Sequence, residues 1–109
     1  MKSIKEYRRA DGTSPFGQWF DGLHPVAAAK VVTAKSKLQN GIGDIKPVGE
    51  GVLEIRIDWG PGYRVYFGQD GLTLVILLAG GDKSTQEQDI KDAKACWDDY
   101  KQRKNRSKR

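Results

Sequence analysis

Four cations, Lys46, Arg56, Arg64 and Lys83, fall in the part of the chain whose pattern would gather them on one sheet. Leu53, Ile55 and Ile57 alternate with Glu54, Arg56 and Asp58. After Gly60, Pro61 and Gly62, the residues Tyr63, Val65 and Phe67 alternate with Arg64 and Tyr66. That period of two describes two strands joined by a turn. If Trp59 faces Tyr63 across the turn, Ile57 faces Val65 and Ile55 faces Phe67, while Asp58 pairs with Arg64 and Arg56 with Tyr66. Both arginines then share a face, and Lys83 emerges from the end of the next strand. Three cations could converge on one phosphate, with Lys46 joining them or touching its neighbour. Arginine suits the task, because its planar donors grip two phosphate oxygens and it stays charged. The plainer reading is that Arg64 only pairs with Asp58, and Arg56 with Glu54 or another carboxylate on that face.

The elements that must hold these residues are legible in part. Ser3 to Arg8 alternates weakly around Ile4 and reads as an edge strand. Ser14 before Pro15 marks a helix start through Phe16, Trp19 and Phe20. Pro25 begins a second helix, in which Ala27, Val31, Ala34 and Leu38 share a face and Gly41 closes the end. Together they predict an antiparallel helical hairpin. The segment "NGIGDIKPVGEG" reads as a loop, since its Pro47 bars it from a central strand. "LTLVILLA", Leu72 to Ala79, is apolar on both faces and reads as the buried centre of the sheet. After Gly80 and Gly81, a capping box at Ser84/Glu87 or Thr85/Gln88 starts a long helix with Ile90, Ala93, Trp97 and Tyr100 in one stripe. The expected order is β-α-α-β-β-β-α, an α+β fold with a small, mainly antiparallel sheet packed against helices.

With 109 residues the chain supports one domain, residues 1–100, and a basic tail, 101–109, expected to be frayed or disordered. The net charge of +5 lies wholly in that tail, because residues 1–100 carry thirteen basic and fourteen acidic groups. Lys101, Arg103 and Lys104 could add a salt-sensitive attraction to RNA phosphates. No run of eighteen apolar residues and no apolar leader occur, so the expected location is the cytoplasm, away from membranes. Cys96 is the only cysteine and has no metal-ligand neighbours; it reads as a packing residue, and no metal or cofactor is expected. "GGDKST" lacks the spacing of a nucleotide-binding P-loop and reads as a strand-to-helix turn that leaves Lys83 free.

The stretches "GDIKPVGEGVLEIRIDWGPGYRVYF" and "LLAGGDKSTQEQDIKDAK" resemble the addiction-module killer proteins of the RelE/HigB type. The resemblance covers residues 3–100, and its most particular parts are "GYR" entering a strand and "GGDKSTQ" after the last one. It implies a RelE-like microbial RNase fold and the toxin role of a type II toxin-antitoxin system. The implied activity is metal-independent mRNA endoribonuclease action, usually in the ribosomal A site, that inhibits translation. The implied partners are mRNA, the ribosome and a cognate antitoxin, often a small helix-turn-helix protein, with operator DNA reached only through that antitoxin. By position, Arg64 matches the family's phosphate-stabilising arginine and Arg56 one of its basic strand residues, while Lys83 lies where a further basic residue often acts.

RNA is cut without metal when its 2′-hydroxyl loses a proton and attacks the adjacent phosphorus while fixed cations stabilise the phosphate. The only histidine, His24, precedes Pro25 and reads as a helix-start residue. The base falls instead to Glu54 with a raised pKa or Lys46 with a lowered one. Tyr63 or Tyr66 could stack on a base or hold a water. Glu54 departs from the family, whose nucleases often carry a basic residue there. Two alternatives therefore stand beside the nuclease: a non-catalytic ParE-like toxin that blocks DNA gyrase, and a non-toxic antitoxin-binding regulator. A partner is expected on the helical hairpin or at Trp97 and Tyr100.

Overall fold

A computed structural model describes residues 1–107. In chain order the elements are β1 (Ser3–Glu6), α1 (Pro15–Asp21), α2 (Pro25–Gln39), β2 (Asp44–Gly49), β3 (Val52–Ile57), β4 (Tyr63–Asp70), β5 (Leu74–Asp82) and α3 (Gln86–Ser107). A single 3-10 turn, Lys83–Thr85, leads into α3. The strands form one mixed sheet in the order β1-β5-β4-β3-β2, parallel only between β1 and β5. The protein is thus a compact α+β fold with a five-stranded sheet and three helices.

Because β5 is apolar on both sides, both sides of the sheet need cover, and both faces of β4 are buried with it. On one face Ile55, Val65, Phe67, Val75 and Leu77 meet Phe16 of α1 and Val31, Ala34 and Leu38 of α2. On the other, Val52, Tyr66, Ile76 and Leu78 meet Ala93 and Trp97 of α3. Full burial of such aliphatic and aromatic side chains stabilises by about 1.5–3 kcal/mol each. Glycine makes room for the tryptophans: a Cβ on Gly80 would lie 2.1 Å from the Trp19 ring, and one on Gly68 2.5 Å from Trp97. α1 rests on β5 while α2 reaches β3 and β1, so both consecutive helices seat on the sheet.

Both helix starts read from the sequence are present. Ser14 accepts from the Gly17 N–H at 2.9 Å, and His24 Nδ1 accepts from the Val26 N–H at 3.2 Å. α2 ends as expected at Gly41, whose N–H and that of Ile42 reach back to Leu38 and Lys37. The expected capping box is replaced by Asp82, which accepts from the Ser84 N–H at 2.8 Å, while the Thr85 hydroxyl donates forward to Asp89.

Three expectations about the frame need correction. The segment 44–49, expected as a loop, is the edge strand β2. Pro47 is compatible with an edge because its missing donor costs no internal ladder bond. Glu50 and Gly51, at φ 55° and 83°, supply the two left-handed residues of the tight β2–β3 turn. The hairpin β3–β4 is shifted by two residues from the expected register: Ile57, not Trp59, faces Tyr63, Ile55 faces Val65, and Arg56 faces Arg64 directly. Residues 58–62 form the turn, closed by Gly62 N–H to Trp59 O at 3.1 Å, which leaves Trp59 outside the ladder with its ring stacked on Tyr63. A shift of two preserves the faces, so the arginines still lie side by side.

The third correction concerns the tail. Residues 101–107 continue α3 as helix; residues 108 and 109 of the expected tail lie outside the described residues. Arg103 donates to Asp99 and to the Arg8 carbonyl, and Lys104 meets Asp70, so this end is tied down. Among the described residues no helix is long and apolar enough to cross a membrane.

Candidate functional site

The end of β3, the start of β4 and the exit of β5 meet around a cleft of about 310 Å³ lined by Arg56, Arg64, Lys83, Tyr63, Asp44 and Asp58, among others. Each cation is delivered by a different piece of the fold. Arg56 and Arg64 are cross-strand partners in β3 and β4. Lys83 opens the 3-10 turn that Asp82 caps, and it is exposed with no ion-pair partner among the described residues. The Ser84 side chain and N–H, bonded to Asp82, hold that carboxyl below its ordinary value.

Like charges directly opposite on neighbouring strands repel, and each arginine is drawn to its own carboxylate. Arg56 Nε lies 3.0 Å from Asp44 Oδ2, and both side chains are largely exposed. Arg64 Nε lies 3.7 Å from Glu54 Oε1, with the two side chains 10% and 0% exposed. Arg64 Nη1 also donates to the Gly62 carbonyl at 3.0 Å. Glu54 Oε2 accepts from Gln86 Nε2 at 3.1 Å, tying the strand pair to the first residue of α3.

The expected site residues separate accordingly. Arg56, Arg64, Lys83 and Tyr63 come together at the cleft. Glu54 lies beneath Arg64, fully buried, so it contacts the arginine and is closed to a substrate. Tyr66 is likewise fully buried and cannot stack on a base. It faces Glu54 across the strands, and burial first, then the Glu54 and Asp89 charges, push its phenol up. Tyr63 sits on the opposite face from the arginines, between the rings of Trp19 and Trp59, and is half-buried at the cleft lining. Lys46 belongs to β2 rather than a loop; it stands opposite Glu54, exposed, outside the cleft lining. Lys101, Arg103 and Lys104 lie in the last turns of α3 at the other end of the molecule, where Lys101 covers the Trp97 ring at 5.8 Å.

Three residues of the site had no signal in the sequence. Asp44 belongs to the segment read as a loop, Gln86 to one read only as a helix start, and Asp89 to a run of acids on α3. Asp89 lies over Gly81, where a Cβ would meet its carboxylate at 1.8 Å, and burial raises its pKa. Only the tertiary fold brings Asp44 to Arg56 and Gln86 to Glu54, and sets Asp89 over Gly81. Cys96 is half-buried, with its thiol pushed up by burial, consistent with packing. Among the described residues no cluster of three or more His, Cys, Asp or Glu could hold a metal ion.

Chemically, two guanidinium groups and one ammonium border a single concavity and could bind a phosphodiester by charge-assisted hydrogen bonds. No family model matches the sequence. A Haemophilus influenzae (strain Rd) protein, named only as an uncharacterized protein, is 51% identical over 84 residues, covering 75% of this chain and 85% of its own length. At that identity and coverage, the chain belongs to the same family as the H. influenzae protein.

Proposed function

We propose that the protein is a RelE/HigB-like toxin with a RelE-like topology, acting in the cytoplasm as a metal-independent, ribosome-dependent mRNA endoribonuclease neutralised by a cognate antitoxin. The observation that carries this reading is the direct pairing of Arg56 with Arg64 at one cleft, with Lys83 at its rim. Three cations against the two carboxylates that also line the cleft, Asp44 and Asp58, leave it net positive, and a phosphate that takes the place of Asp44 on Arg56 would meet that charge as its own develops during cleavage. Arg64 and Arg56 grip the phosphate, and Lys83 adds to its neutralisation. Glu54 acts through Arg64. As the 2′-oxygen bonds to phosphorus its proton passes to water in the open cleft, and the P–O5′ bond breaks with a proton from water going to the leaving oxygen, giving a 2′,3′-cyclic phosphate and a 5′-hydroxyl.

A second reading, a ParE-like toxin that blocks DNA gyrase without cleavage, draws on one observation. Glu54 is enclosed, and the only imidazole caps α2, so the cleft lacks both of these bases. Inducing the gene alone and mapping mRNA ends separates the two. The nuclease predicts new 5′ ends within translated codons, whereas the gyrase blocker predicts DNA damage signalling with intact mRNA. Arg56→Ala combined with Lys83→Ala spares the buried Arg64–Glu54 pair; undiminished arrest by that variant would sink the phosphate-gripping role of the cleft.

A further inference from the structure

We propose that Glu54, backed by Gln86, is a positioning residue that fixes the Arg64 guanidinium so that its Nη2 edge is offered to the cleft. Arg64 is held at two points. Nη1 donates to the turn carbonyl of Gly62 at 3.0 Å, and Nε faces Glu54 Oε1 at 3.7 Å. Both of those latter atoms are enclosed and make no hydrogen bond, so their attraction is that of charges in a poorly screened place. Nη2 has no hydrogen-bond partner among the described residues and keeps some access to solvent.

A buried carboxylate without a partner is strongly unfavourable, so Glu54 and Arg64 hold one another. The repulsion from Arg56, directly across the strand pair, makes that hold necessary. Arg56 makes the shorter contact, donating from Nε to Asp44 Oδ2 at 3.0 Å, but solvent reaches both side chains and screens the pair. One cleft therefore contains an arginine enclosed with its counter-ion and another whose ion pair is open to solvent, and the first is expected to be the more rigid. Gln86 adds the helix to the arrangement: as the first residue of α3 it bonds Glu54 Oε2, so the seat of α3 on the sheet sets the direction of the carboxylate. This role deepens the phosphate-gripping reading of the cleft, and rests on it for its consequence in cleavage.

The test measures the motion of arginine Nε–Hε groups by NMR relaxation in the 15N-labelled full chain. In the unaltered protein the order parameter of Arg64 is expected near about 0.85 and that of Arg56 below about 0.6. Glu54→Gln keeps the shape and an acceptor for Gln86 but removes the charge, and should bring Arg64 down to the range of Arg56. Gln86→Ala should lower Arg64 partway. An Arg64 as mobile as Arg56 in the unaltered protein, or one still rigid in Glu54→Gln, overturns the proposal; if that variant does not fold, a rigid Arg64 in Gln86→Ala does so.

A second arm follows single-turnover cleavage of ribosome-bound mRNA. Glu54→Gln should slow it about tenfold or more while apparent affinity for the ribosome changes less than about twofold, a split that simple loss of folded protein does not produce. An unchanged rate in a variant whose Arg64 has loosened overturns the functional role. If the unaltered protein cleaves nothing, the nuclease reading falls, while the relaxation arm still decides whether Glu54 positions Arg64.

Discussion

At the far end of α3, Arg103 and Lys104 are engaged by the fold itself. Arg103 donates to Asp99 at 2.8 Å, covers the Tyr7 ring at 5.2 Å and meets the Arg8 carbonyl. Lys104 meets Asp70, which also accepts from the Tyr100 hydroxyl at 2.6 Å. At the cleft end, about 27 Å away along the helix axis, Lys83 is unpaired among the described residues, and Arg56 and Arg64 oppose one another. Charge counting favours the first region, since the whole positive excess lies there. The structure qualifies the ranking: Arg103 and Lys104 anchor a helix on carboxylates, Arg56 and Arg64 at the cleft also have carboxylate partners, and of these five cations Lys83 alone has none among the described residues. What a basic residue does depends on what already neutralises it.

The sharpest way to break this contrast is at Arg64. Arg64→Met should cost about 3 kcal/mol or more of unfolding free energy in denaturant melts, because it leaves the Glu54 charge buried alone. Adding Glu54→Gln should recover more than half of that loss. Equal stability of the single and double variants would mean that the pair is not coupled.

At the far end, Tyr7→Phe removes the hydroxyl that donates to Asp99 at 2.7 Å and should cost about 1 kcal/mol. Cleavage should be unaffected; a drop in cleavage rate per folded molecule would extend the site along α3 and erase the division between the ends.

Acid should expose the far-end anchor. Bonds from Tyr7 first, and also from Arg103, hold the Asp99 carboxyl below its ordinary value of 3.8. A folded value below the unfolded one means that the contribution is fully present above about 3.8 and is lost as pH falls through the depressed folded value. Asp99→Asn should therefore lower stability at neutral pH, with the gap from the unaltered protein closing in stronger acid. The side chain is 42% exposed, so the effect is small. Thermal melts from pH 7 to pH 2.5 would read it, and a gap independent of pH contradicts the assignment.

The smallest stability effect is expected at Lys83. Lys83→Ala should change stability by less than about 0.5 kcal/mol, yet lower the slope of log affinity for RNA against log salt by about one. Lys104→Ala should leave that slope unchanged. The reverse pattern would return RNA binding to the far end.

Sequence periodicity and punctuation determined a good deal of this protein. Ser14 with Pro15, and His24 with Pro25, specify helix starts because capping and proline chemistry act within a few residues. The alternation around Ile55 and Val65 specifies two strands and puts Arg56 and Arg64 on one face, since a strand's side chains repeat every second residue. The observed register differs by two from the one the pattern predicts and leaves both arginines on that face, because an even shift cannot change faces. The tertiary structure alone decided the rest. The strand β2 was hidden because its pairing with β3 supplies order that glycine and proline do not advertise. Tyr66 and Glu54 are buried because Trp97, Gln86 and the N-terminal turn of α3 close over them from far along the chain. Whether Glu54 is a base or a counter-ion, and whether a lysine is free or bound, depends on neighbours that no local spacing encodes.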